Sequence, residues 1–276
     1  QAAIDGHVEI GRRCREAGVD TIVVFDTHWL VNAGYHINCA PHFAGVYTSN
    51  ELPHFISNMI YEYDGNPGLG ELLAAAANRQ GVATMAHPAT TLPLEYGTLV
   101  PMRYMNADRH FKVVSVSALC TVHYLSDSAK LGWAFRRAIE DDYDGTVAIF
   151  ASGSLSHCFA QNGTADEYRN KMFSPFLERL DHEVIRMWEK AEWPDFCDML
   201  PEYAAKGHGE GFMHDTAMLL GALGWRNYDR GVEVVTPFFP SSGTGQINAV
   251  FPVSPMSRQL EGIGMPSAPA LAGGRL

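Results

Sequence analysis

Strands and helices alternate along these 276 residues, and the alternation predicts an α/β fold: a single domain with a mainly parallel central sheet covered by helices on both faces. Three observations carry that prediction. Short apolar runs rich in β-branched residues recur at 21–25, 112–118 and 145–151, without the polar alternation of a half-exposed strand. Between them lie segments whose apolar residues return at helical spacing. No linker-like stretch divides the chain, whose length suits one large domain or two small ones with an ample core.

Taken in order, Ile4, Val8, Ile10 and Cys14 mark a helix ending near Gly18. A sheet of this type normally puts a strand ahead of such a helix. The sequence opens on Gln1 with no signal peptide, and it is expected to be truncated at its amino end. The run 21–25 is a strand that stops at Asp26-Thr27-His28. Ligands in open α/β sheets bind just beyond the carboxyl ends of strands, which sets His28 at the mouth of a crevice. A second strand is expected over 35–39. The segment 41–66, with His42, Pro53, His54 and several turn formers, reads as a long loop, and one of that size in a compact domain points to function. Helix 69–79 stops at Gly81, and strand 82–87 follows. Glu95-Tyr96-Gly97 turns into a helix that Pro101 starts or kinks. Strand 112–118 comes next, with His123 a few residues past its end. After an amphipathic helix over 129–143, strand 145–151 runs into small residues that close on His157, repeating the placement of His28. A helix over 173–189, with an acidic and basic outer face, and another over 193–205 lead to the glycine-rich turn that carries Glu210. Helix 213–223 and strands at 232–236 and 247–251 close the fold, with a Gly/Ser loop at 240–245 between the strands. Residues 1–253 form the domain, and 254–276, rich in Pro, Gly and Ala, a flexible tail.

Composition removes several classes of function. A formal net charge of −11 and the absence of a basic run interleaved with aromatics argue against nucleic acid. No apolar run is long enough to span a bilayer. The five cysteines are scattered without a CxxC pair, so neither a zinc knuckle nor a disulfide framework is expected, and free thiols fit a reducing cytoplasm. The Gly/Ser loop lacks the Gly-Lys-Ser/Thr ending of a phosphate-binding loop and precedes a strand. Ser152 and Ser154 near His157 lack the closing glycine of a nucleophile elbow. Met213, Met218 and Leu219 read as core, and His7, His110 and His182 as solvated. The remaining pattern is His28, His157 and Glu210, after two strands and before a helix. Two histidines and a carboxylate suit either ferrous iron or catalytic zinc. Spacing alone separates neither the metals nor the ligand histidines, and it leaves a generic binding protein and a hydrolase open.

Longer motifs narrow this. DTHW at 26–29, LEYGTLVPMRYM at 94–105, ASGSLSH at 151–157, GEGFMHDTAMLLGALGW at 209–225 and FPSSGTGQINAVFP at 239–252 resemble the class III extradiol ring-cleaving dioxygenases of the LigB type. The resemblance covers nearly the whole chain up to about Val253. It implies Fe(II)-dependent opening of a catechol by O2 in the catabolism of aromatic compounds, with 3,4-dihydroxyphenylacetate as the ring compound. It implies His28 and Glu210 as iron ligands and His157 as the acid–base residue. Tyr96 is implied in the catalytic pocket, at a position where some members carry histidine, and His123 and Ser242 are weaker substrate-binding candidates. The implied partners are the catechol and O2, within a homo-oligomer. In the family a further histidine ligand lies in a T-H-x-P-like segment on an opening strand, and this sequence contains no such segment. A 2-aminophenol 1,6-dioxygenase-like enzyme, or the non-catalytic partner subunit of one, is the alternative.

Overall fold

The computed structural model describes residues 1–160 and 165–258. Its centre is β1 (Thr21–Val31), where Ile22, Val23, Val24 and Phe25 have no exposed surface. A strand apolar on both sides must be covered on both sides, and this one is. Its side chains alternate between faces. Val23 and Phe25 pack with helices α2 (Pro67–Arg79) and α4 (Leu125–Asp142), while Ile22 and Val24 pack with α1 (Ala2–Glu16) and α3 (Tyr96–Met105).

The strands β2 (Tyr35–Asn38), β5 (Thr84–His87), β6 (Lys112–Cys120) and β7 (Val147–Ala151) complete a sheet of order β5-β2-β6-β1-β7. β1 runs parallel to β6 and β7, and β2 parallel to β5; only the β2–β6 pair is antiparallel. The predicted single α/β domain with a mainly parallel sheet is the observed one. A second apolar cluster is built from α6 (Pro175–Glu189), α7 (Trp193–Lys206) and α8 (His214–Leu223), around Trp193, Phe196, Leu200 and Trp225. The short helix α5 (Ala165–Tyr168) lies between β7 and α6 in the chain. Among the described residues no helix is long and apolar enough to cross a membrane.

Several expectations need correction. β1 does not stop at Asp26. It continues to Val31, with a register shift in which Asp26 pairs with Ser117 and Leu30 with Leu119. The buried Asp26 carboxylate is accommodated by the Thr98 hydroxyl, so it does not end the strand. The segment 41–66 is not a bare loop: β3 (His42–Tyr47) and β4 (Met59–Asp64) pair in an antiparallel hairpin with Phe43, Met59 and Tyr63 buried. The last two strands, β8 (Glu233–Ser241) and β9 (Thr244–Val250), form a sheet of their own. Their turn, Ser242-Gly243, has φ of 53° and 91°, as a tight hairpin requires. His7, expected in solvent, is packed beside Phe150 and Tyr104, and burial lowers its pKa. Ser254 is buried, its carbonyl accepting from Arg136, and Arg258 reaches Asp141. The remainder of the expected tail, 259–276, lies outside the described residues.

Candidate active site

The register shift in β1 re-aims the strand where it leaves the core, a common use of such irregularities beside functional sites. The backbone N–H of His28 donates to Asp26 Oδ1 at 2.9 Å. Asp26 is fully buried and receives the Thr98 hydroxyl on Oδ2 at 2.6 Å. Burial pushes its carboxyl upward, against the pull of Thr98 and His28. The Tyr96 ring lies 3.7 Å from that of His28, centroid to centroid, and its hydroxyl donates to Glu51 Oε2 at 2.9 Å. Burial, with Glu51 beside it, raises the Tyr96 pKa, so the phenol stays protonated.

Glu210 comes from a strained turn. Gly211, Phe212 and Met213 follow it in succession with φ of 55°, 56° and 63°, and His208 precedes it at 52°. Left-handed backbone at residues other than glycine costs on the order of 1 kcal/mol or more each and persists where surrounding structure enforces it. Here Glu210 N donates to Leu155 O at 3.1 Å and His157 N to His208 O at 2.7 Å. The turn is thereby laced to the loop after β7.

The result is a convergence. His28 Nε2 donates to Glu210 Oε1 at 2.9 Å, and His157 Nε2 stands 3.6 Å from the same oxygen. Glu210 Oε2 accepts from the Ser154 backbone N–H. Burial would raise the Glu210 carboxyl, but the His28 hydrogen bond, the two imidazoles and the Ser154 amide outweigh it and hold it at about 2. The counterpart shift is upward: burial disfavours the charged His28 ring, and Glu210, Asp26 and Glu51 reverse that. Behind them Asp215, 2 % exposed, accepts from Gly153 N at 2.8 Å, and burial pushes its carboxyl up to about 7.

The three residues singled out by sequence therefore share one site with Tyr96. His123 and Ser242 are elsewhere engaged. His123 stacks on Tyr35 at 4.5 Å and meets Gly34 O at 3.1 Å. Ser242 sits in the β8–β9 turn, its carbonyl accepting from Ala160 N. Among the described residues neither makes a hydrogen bond or ring contact with His28, His157 or Glu210. Sequence reasoning missed Glu51, inside the supposed loop, and Asp215, five residues beyond Glu210, whose only signal was its place in the GEGFMHD motif.

An imidazole nitrogen and an ionised carboxylate oxygen from distant parts of the chain, meeting at 2.9 Å, are donors of the kind that iron and catalytic zinc accept. They fit a metal as two of its ligands. Among the described residues no set of three or more His, Cys, Asp or Glu is arranged to hold an ion.

Gly97 is integral to this packing. A Cβ there would strike Asp26 Oδ1 and come within 3.0 Å of His28 Nδ1. Gly97→Ala is expected to destabilise by about 1–3 kcal/mol, the usual range for overpacking, and to displace His28. A thermal midpoint several degrees lower together with weaker metal binding checks this; an unchanged midpoint and affinity contradict it.

Comparison with known proteins adds an independent line. The family profile described as the catalytic LigB subunit of aromatic ring-opening dioxygenase matches residues 1–252. The 3,4-dihydroxyphenylacetate 2,3-dioxygenase of Escherichia coli is 59 % identical over 239 residues, covering 87 % of this chain and 86 % of that one. The 2-aminophenol 1,6-dioxygenase beta subunit of a Pseudomonas species is 26 % identical over 200 residues, covering 69 % of this chain and 65 % of its own. The crystal structure of an uncharacterized protein, JW3007, from Escherichia coli K12 superposes with a TM-score of 0.61 at 13 % identity, over 87 % of this chain and 90 % of that one; at that identity the match speaks to the fold.

Proposed function

The chain belongs to the LigB family of aromatic ring-opening dioxygenases, and we propose that within it the chain performs extradiol cleavage of 3,4-dihydroxyphenylacetate to 5-carboxymethyl-2-hydroxymuconate semialdehyde. As a member it is an extradiol dioxygenase, an oxidoreductase that uses O2, and enzymes of this kind are typically metal-dependent. The substrate reading rests on the 59 % identity to the Escherichia coli enzyme. The metal reading is supported by the meeting of His28 and Glu210 at 2.9 Å, and the choice of Fe(II) by membership of the family.

His28 and Glu210 would hold the iron, which when bound would bring catechol and O2 together and let electrons pass between them. The chain's own residues do the rest. The Tyr96 ring, tilted at 32° against that of His28, keeps the imidazole in orientation and would line the substrate's place. The low pKa of Glu210 keeps its carboxylate ionised across the physiological range. His157, 30 % exposed and 3.6 Å from Glu210 Oε1, is near enough to solvent and site to take a proton from a catechol hydroxyl at Nε2. The protonated ring would then return that proton to an oxygen of the product side. Imidazole is suited to both halves near neutral pH, where its two forms are close in energy. Five free cysteines support a reducing, cytoplasmic setting.

The test is product analysis with the full-length protein, loaded anaerobically with Fe(II) and exposed to 18O2. With 3,4-dihydroxyphenylacetate the expected product is the yellow semialdehyde carrying both atoms of one O2. Preferential turnover of 2-aminophenol would transfer the assignment to the other relative's chemistry, and a product labelled from water would point to a hydrolase.

A further inference from the structure

We propose that Asp181 is a positioning residue for this reaction: from inside α6 it grips the amide and hydroxyl of Ser156 and so fixes the neighbouring His157 imidazole against Glu210. The proposal rests on the reading of His157 as the acid–base residue.

Asp181 has no exposed surface, and it interrupts an apolar stripe formed by Leu177, Val184, Ile185 and Trp188 on the same helix. A carboxylate in such a place is costly unless its oxygens are saturated with donors. All its donors belong to one small cluster. Ser156 N donates to Oδ1 at 3.2 Å and Ser156 Oγ to Oδ2 at 2.8 Å, while Tyr203 Oη, on α7, donates to Oδ1 at 2.7 Å. Burial pushes the carboxyl up to about 6, against the pull of Tyr203, Ser156 and His182, which leaves it an ionised acceptor at neutral pH. β9 closes over the cluster at Gly245, where a Cβ would strike Asp181 Oδ2. Gly245 N donates to Ser156 O at 3.0 Å and Leu155 N to Gly245 O at 2.9 Å. Every polar atom of Ser156 is therefore engaged.

The next residue is the reverse. The His157 ring has a contact with Glu210 at 3.6 Å and lies on Phe159 at 5.7 Å between centroids, and among the described residues its side chain makes no hydrogen bond. Its direction is inherited from its backbone, whose N–H is fixed on His208 O. Asp215 and Glu210 cap Gly153 and Ser154 upstream in the same loop. Asp181 caps the amide and hydroxyl of Ser156, one residue before the histidine, from a helix that carries neither His28 nor Glu210.

The experiment is a double-mutant cycle in the Fe(II)-loaded full-length protein, pairing Asp181→Asn with His157→Ala, with kcat, KM and amide exchange as readouts. The Asp181→Asn change replaces one accepting oxygen with an amide donor turned towards Ser156 or Tyr203. The expected result is a roughly ten- to hundred-fold loss in kcat with little change in KM and iron content, and less than about two-fold loss when His157 is already alanine, since residues acting as a unit are not additive. The amides of Ser156 and His157 should exchange faster by about ten-fold while those of β1 stay protected. Should Asp181→Asn fail to fold, Ser156→Ala and Tyr203→Phe, which each remove one hydroxyl, carry the same cycle. Equal fold losses in both backgrounds overturn the proposal and leave the acid–base reading standing. Full turnover in His157→Ala alone overturns both.

Discussion

Glu210→Ala is expected to abolish turnover and to lower metal affinity by more than about 100-fold, since changing residues that merely support a ligand already costs 10–100-fold. The side chain has two duties. Oε1 faces His28 and His157, and Oε2 receives the amide of Ser154. Alanine removes both, leaving the His28 and His157 rings without their shared partner and the half-buried Ser154 amide without its acceptor. Glu210→Gln separates the duties. Its carbonyl oxygen can still accept from Ser154, so the fold should be retained, but the neutral amide is a poor ligand and activity should remain lost. Metal analysis, thermal melting and oxygen uptake on the two variants check this. Wild-type turnover in either would refute the ligand role.

His157→Ala is expected to reduce kcat by about 10²–10⁴-fold, the usual worth of a positioned acid–base group, while catechol still binds. His157 is less enclosed than Glu210, 30 % against 7 % exposed, so a small residue there admits water without emptying a core. The loss should fall on kcat with KM nearly unchanged, because a proton carrier acts in the transition state. Single-turnover kinetics after anaerobic binding measures the two separately. Weakened binding with unchanged chemistry would instead make His157 a binding residue.

Legibility followed burial. The continuous apolar run at 21–25 announces a central strand because nothing but a doubly covered sheet can hide it, and His28, just past that run, inherits a meaningful position. The carboxylate is less legible: a left-handed turn at Gly211, Phe212 and Met213 has no periodicity, and Glu210 stands out only through its motif. The continuation of β1 through Asp26 and Thr27 cannot be read locally, since Thr98, far along the chain, hosts the Asp26 carboxylate. The β3–β4 hairpin is masked differently. Its inward Phe43, Met59 and Tyr63 alternate properly, but Val46 and Ile60 are exposed at 64 % and 81 %, so the contrast between its faces is weak. Asp181 does leave a trace, an acid at an inward position of an amphipathic helix, but in sequence it merges with the charged outer face.

The central proposal is a division of labour: His28 and Glu210 would hold iron, and His157 would move protons without holding it. Anaerobic Fe(II) titration of the full-length protein and of its His28→Ala, Glu210→Ala and His157→Ala variants tests this directly. The account predicts one tightly bound iron in the parent and in His157→Ala, and loss of tight binding in the other two. Iron retained after removal of His28 or Glu210, or lost on removal of His157, would contradict it.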